Sequence, residues 1–211
     1  MKLRLTIAVV GLVFMTCLLS AHAQSPSVIL VWKVIVADDL GEGVRRCPVC
    51  KAMLPEGVVK RNDADVMKRY LKAGLSKMRD CRFIYVTTKK AKSEDEAKKH
   101  DLDRMLAVTK EEGADALLAT VLLRFKELVG SKYAASEPAS VTFHLHMVRV
   151  IDSRPIWDFV YSETQRPLSD NVLEAKKLWK RRFAWVRAEK LLSEGVDKAM
   201  RSFPRCRVHK P

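Results

Sequence analysis

The stretch Arg45-Arg46-Cys47-Pro48-Val49-Cys50-Lys51 puts two thiols three positions apart. Such a pair can be a zinc knuckle, a redox centre, half of a haem attachment or a structural disulfide. Haem attachment requires a histidine directly after the second cysteine, and Lys51 stands there. A thioredoxin-like centre sits at the start of a helix that lowers the first thiol's pKa, whereas Pro55 and Gly57 break the chain soon afterwards. Arg45 and Arg46 are the one feature that favours reactive thiols. A structural zinc ion needs four ligands, and the chain has no second Cys-x-x-Cys to supply them. Cys81 and Cys206 could complete the set in space.

His144 and His146 are two apart in Ser140-Val-Thr-Phe-His-Leu-His-Met147, an alternating pattern that predicts a strand. Side chains two apart on a strand share a face, which is the geometry of a two-histidine metal site. The plainer reading places both rings on a wetter or helix-covered face opposite Phe143 and Leu145. The sequence therefore offers Cys47, Cys50, His144 and His146 only as a weak metal alternative. A third cluster, residues 176–185, interleaves Lys176, Lys177, Lys180, Arg181 and Arg182 with Trp179. Such a surface can lie on anionic headgroups or grip a polyanion. Equally, the rings can pack inward beneath the Lys and Arg stems. No Ser-His-Asp order and no phosphate-binding glycine loop stands out, so no catalytic residue and no cofactor is expected.

The compartment weighs heavily on the cysteines. Lys2 and Arg4 precede an apolar run from Leu5 to Leu19, and Ala21-His22-Ala23 follows with small residues where a signal peptidase requires them. Residues 1–23 read as a secretory signal cleaved after Ala23, which makes the protein periplasmic or secreted. Lipidation at Cys17 is disfavoured by Phe14 and Met15 ahead of it. In an oxidising compartment four mature cysteines read most simply as two disulfides. Three pairings are possible, and Cys81 with Cys206 plus Cys47 with Cys50 is the favoured one. The chain of 211 residues carries a net charge of +14, to which the signal adds only Lys2 and Arg4. That balance points to anionic membrane surfaces or polysaccharides as neighbours rather than nucleic acid outside the cytoplasm.

These residues must be positioned by a mixed α/β domain over residues 24–204, followed by a short tail, 205–211. Ser27 to Asp39 reads as a buried strand and Leu40 to Lys60 as a loop carrying the cysteine pair. Asn62 or Asp63 can cap a helix whose Val66, Met67, Tyr70, Leu71, Leu75 and Met78 recur at helical spacing. A strand from Cys81 follows, then a charged helix opened by a Ser93-to-Glu96 capping box and ended by Gly113. Ala114 to Phe125 is apolar on both faces, as in a central strand, and GSKYAASEPA is an exposed connection. The strand bearing His144 and His146 turns at Asp152-Ser153-Arg154 and returns as Pro155 to Thr164, with Trp157, Phe159 and Tyr161 on one face. Helices over about 169–182 and from Ala188 to Phe203 close the chain. The order is β-α-β-α-β-β-β-α, with a mixed sheet of about five strands.

Gly113-Ala-Asp-Ala116, the hairpin through Trp157, and Glu163-Thr-Gln-Arg-Pro-Leu-Ser169 resemble periplasmic proteins whose fold is related to the amino-terminal domain of TolB. Among them are Lpo-type activators, the Pel polysaccharide export lipoprotein and the curli secretion periplasmic domain. The resemblance covers roughly residues 27–204. It implies a non-enzymatic domain that binds other envelope proteins in assembly or export, and it supplies no catalytic residue. A metal-binding or thiol-disulfide protein centred on Cys47 and Cys50 is the alternative reading, and a basic module for anionic glycan or lipid the next.

Overall fold

The computed structural model describes residues 25–36, 46–53, 59–86, 101–131, 135–165 and 184–206. The strands are β1 (Val28–Val31), β2 (Ile35–Val36), β3 (Arg82–Tyr85), β4 (Ala116–Lys126), β5 (Val129–Gly130), β6 (Ala135–Glu137), β7 (Ser140–Arg149) and β8 (Pro155–Thr164). The helices are α1 (Arg61–Leu75), α2 (Leu102–Glu111) and α3 (Ala188–Ser202). One mixed sheet runs β3-β1-β4-β7-β8, with β2 also paired to β4. β1 is parallel to both β3 and β4, because each connection between them crosses over through a helix. β7 and β8 join antiparallel, as a tight turn requires.

The sheet separates two cores. On one face Ala116, Leu118, Leu122, Val141, Phe143, Leu145 and Met147 pack under α1 and α3. On the other, Leu117, Ala119, Val121 and Leu123 meet Leu30, Cys47, Met105 and Leu106. β4 is thus buried on both faces, and charged residues appear in it only at Arg124 and Lys126. α3 lies so close on the sheet that a Cβ on Gly195 would come 2.7 Å from the Tyr161 ring and 2.8 Å from that of Phe143. Trp157 is half-buried, with its ring against Phe203 and stacked on Phe159.

Local signals account for most boundaries. The carboxylate of Asp115 accepts the Ser27 and Val28 N–H groups at 2.9 and 3.0 Å, locking the start of β1 beside the start of β4. Gly113, at φ +70°, ends α2 in the left-handed conformation that glycine adopts freely. Two expectations are corrected. α1 begins at Arg61, ahead of the predicted caps, because Asp63 reaches back to accept the Lys60 N–H at 2.7 Å. The connection after β4 is not plain loop: Val129 and Gly130 pair with Glu137 and Ala135 as a small two-stranded ladder. The signal segment, the Ser93 capping box and the helix over 169–182 lie outside the described residues, as do Lys176, Lys177, Trp179, Lys180, Arg181 and Arg182.

Candidate metal centre

Residues 46–53 form a tight knuckle. Arg46 and Met53 make an antiparallel bridge, the Cys47 N–H donates to the Ala52 carbonyl at 2.9 Å, and the Lys51 N–H donates to the Cys47 carbonyl at 3.0 Å. Closing so short a turn places Lys51 at φ 59°, and its ammonium donates to the Pro48 carbonyl at 2.8 Å. The N–H groups of Cys50 and Val49 hydrogen-bond the Cys47 sulfur. Backbone donors converging on one sulfur in this way stabilise a thiolate. Cys47 is fully buried, whereas Cys50 is exposed.

The knuckle rests on β7, nearly a hundred residues later in the chain. There His144 and His146 project to the same face, as their spacing predicts, and both are buried. Small neighbours make room for the rings: Val121 lies opposite His144 and Ala119 opposite His146 on β4. On the other side β8 sets Asp158 opposite His146, and its Oδ1 lies 2.5 Å from His146 Nδ1. With Nδ1 engaged by a carboxylate, Nε2 is left to face Cys47, whose sulfur is 3.3 Å away. His144 instead turns its Nδ1 toward the Cys50 sulfur, at 3.8 Å.

One ligand atom from each of the four residues falls within 4.8 Å of all the others. For a tetrahedral zinc ion, with Zn–S about 2.3 Å and Zn–N about 2.0–2.1 Å, an S···N edge is about 3.6 Å. The two observed edges, 3.3 and 3.8 Å, bracket it. Without an ion, burial pushes the Cys47 thiol up to about 11, against the pull of the backbone donors, and burial with the neighbouring His146 lowers His144. The metal-free site therefore holds a neutral thiol and a neutral imidazole. A bound cation reverses the first preference, since a coordinating thiol gives up its proton.

The sequence-predicted residues are thus divided between two places. Cys81 and Cys206 are joined in a disulfide spanning 125 residues, against the core beneath α1 and α3. Cys47 and Cys50 stand in this structure as free thiols, where the sequence leads to the expectation of a second disulfide. The knuckle turns both sulfurs onto the histidine pair, which the sequence had offered only weakly. The histidines likewise occupy no wet or merely helix-covered face: they are sealed beneath the knuckle. Sequence reasoning missed Asp158. The signal was available, because positions paired about a turn centred near residue 152 put 158 opposite 146.

No protein family matches this chain by sequence, and neither does any curated protein. Solved structures do match. The PelC dodecamer of Paraburkholderia phytofirmans is 9% identical and aligns with 84% of this chain and 91% of its own, at a TM-score of 0.47. Lipoprotein GNA1162 of Neisseria meningitidis is 14% identical, with 84% and 100% covered and a TM-score of 0.44. The LpoB C-terminal domain of Salmonella enterica is 12% identical, with 72% and 92% covered and a TM-score of 0.41. Pel-export and Lpo-type proteins, two of the groups the sequence resembles, are thus among the structures this chain is similar to.

Proposed function

We propose that this chain is a secreted, non-catalytic domain of the cell envelope that carries one zinc ion at Cys47, Cys50, His144 and His146, and that it acts by binding other envelope proteins. The observation that carries the metal reading is the convergence of four ligand atoms within 4.8 Å from two distant segments. Two thiolates and two imidazoles suit zinc, and a tetrahedral set drawn wholly from protein leaves no open position for substrate or water, as in structural sites. The Asp158 carboxylate behind His146 is the partner that metal-bound histidines commonly have. The ion's work is to fasten the knuckle onto β7. The secretion signal and the resemblance to envelope proteins support the wider role.

The test is metal content. Mature protein, with its thiols kept reduced and Cys81–Cys206 intact by mass, is expected to take up one zinc per chain. Cobalt in its place should give the intense visible absorption of a tetrahedral thiolate site. His144→Ala with His146→Ala should abolish both. A reduced protein that takes up no zinc, or one whose uptake is indifferent to Cys47→Ser and Cys50→Ser, would end this reading.

A further inference from the structure

The chain already contains one disulfide, Cys81–Cys206, while two other cysteines stand side by side as free thiols. Their sulfurs lie within 4.8 Å of each other. One of them, Cys47, is sealed at zero exposure; the other, Cys50, opens to solvent. From this arrangement we infer, resting on the zinc reading above, that the centre is a redox latch: zinc and a Cys47–Cys50 disulfide occupy the same two sulfurs and exclude each other, and exchange begins at Cys50.

The chemistry balances with a disulfide as oxidant. The Cys50 thiolate attacks a sulfur of an incoming R–S–S–R′; a Cys50–S–S–R bond forms and R′–S⁻ leaves. Cys47, held beside it by the knuckle, then gives up its proton to solvent and attacks the Cys50 sulfur, forming the Cys47–Cys50 bond and expelling R–S⁻, which takes up a proton in turn. Two electrons pass from the two cysteine sulfurs to the oxidant, and the zinc ion leaves with its charge unchanged because its two thiolate ligands no longer exist. His144 and His146 alone cannot hold it. Zinc bound first withdraws electron density from both sulfurs and occupies the Cys50 lone pair, so loading slows the first step. The order of events, metal before oxidant or oxidant before metal, then decides which form a chain keeps. The inaccessible side of the pair matters as much: an oxidant that reaches only Cys50 leaves Cys47 as the resolving thiol, which directs the reaction to an internal disulfide rather than a lasting adduct.

The experiment uses reduced mature protein, first checked for uptake of one zinc per chain. Failure at that step sinks the proposed function itself. Zinc-loaded and chelator-stripped samples are then treated with oxidised glutathione, with thiols counted, zinc release followed by a coloured chelator, and the products mapped by mass. The stripped protein is expected to lose two hydrogens as a Cys47–Cys50 disulfide and afterwards to take up no zinc. The loaded protein should react at least about tenfold more slowly and release one zinc for each disulfide formed. Cys47→Ser should stop at a glutathione adduct on Cys50, and Cys50→Ser should leave Cys47 unreacted. Equal rates for loaded and stripped protein, zinc retained after the disulfide has formed, or an adduct on Cys47 ahead of Cys50, would each overturn the latch while leaving the zinc site standing.

Discussion

Replacing Asp158 by Asn isolates the carboxylate behind the centre from the centre itself. Asp158 touches no metal position; it holds His146 Nδ1 at 2.5 Å from the outer side while Nε2 points inward at Cys47. The amide keeps the shape but loses the charge. It can also donate to Nδ1, and that would favour the tautomer that protonates Nε2. Removing such a partner lowers metal affinity by about 10- to 100-fold. Here the Asp158 side chain is half exposed while His146 is 1% exposed, so water screens part of the carboxylate's effect. We therefore expect the lower end, about tenfold, equivalent to about 1.4 kcal/mol. Zinc competition against a chromophoric chelator at neutral pH, under a non-chelating reductant, measures it. The variant should remain folded, and its thermal midpoint without metal should match that of the parent. If Asp158→Asn binds zinc as tightly as the parent, the carboxylate is only a surface partner of His146, and the argument from its placement is wrong.

Three further outcomes follow from other parts of the fold. Cys81→Ser opens a cross-link spanning 125 residues, for which the chain-entropy argument gives about 5 kcal/mol, so chemical denaturation should show a far larger loss than Cys47→Ser does in metal-free protein. Gly195→Ala forces a methyl group to within 2.7–2.8 Å of two aromatic rings and should cost about 1–3 kcal/mol by the same measurement; an unchanged midpoint would mean α3 can slide off the sheet freely. The metal-free fold should lose stability at both ends of the pH range. Below the ordinary histidine range the unfolded chain protonates His144 while the buried ring resists; from pH 9.0 to about 11 the unfolded Cys47 thiol ionises while the buried one keeps its proton. Burial also raises Tyr85, which titrates in the same range, so urea midpoints should fall at the alkaline end in both proteins but less in Cys47→Ser than in the parent; equal falls would refute the assignment.

Much of this architecture was legible in residue types and spacing. Val-Ile-Leu-Val at 28–31 reads as a buried strand because no polar residue interrupts it, and it became the strand between two parallel neighbours. The two-residue period of β7 by itself puts both histidines on one face. The destination of the knuckle was not legible. Nothing local to residues 46–53 says that they fold onto a strand 94 to 99 positions later, because that placement depends on which part of the second face α2 leaves uncovered. The expectation of an oxidising compartment also biases the reading of paired cysteines toward disulfides. It pointed to the Cys81–Cys206 link seen in this structure and passed over the histidine pair on which Cys47 and Cys50 rest.

The cross-link between Cys81 and Cys206 also sets how the molecule would behave under tension. It closes a covalent ring that contains β3 to β8, α2 and α3, whereas β1, β2 and α1 lie outside it and are held against the ring by noncovalent contacts. Load applied to the two ends of the chain enters at Ser27, the head of β1, and leaves through Cys81, the head of β3. These heads are side by side, since Val28 pairs with Arg82 in parallel register. Tension at the same end of two parallel strands peels them one hydrogen bond at a time instead of shearing all of them together. β1 would therefore be drawn out at low force, while the ring stayed closed. Reduction of the disulfide would release the 125 residues of separation, roughly 400 Å of further extension, and would move the point of load to the far end of α3.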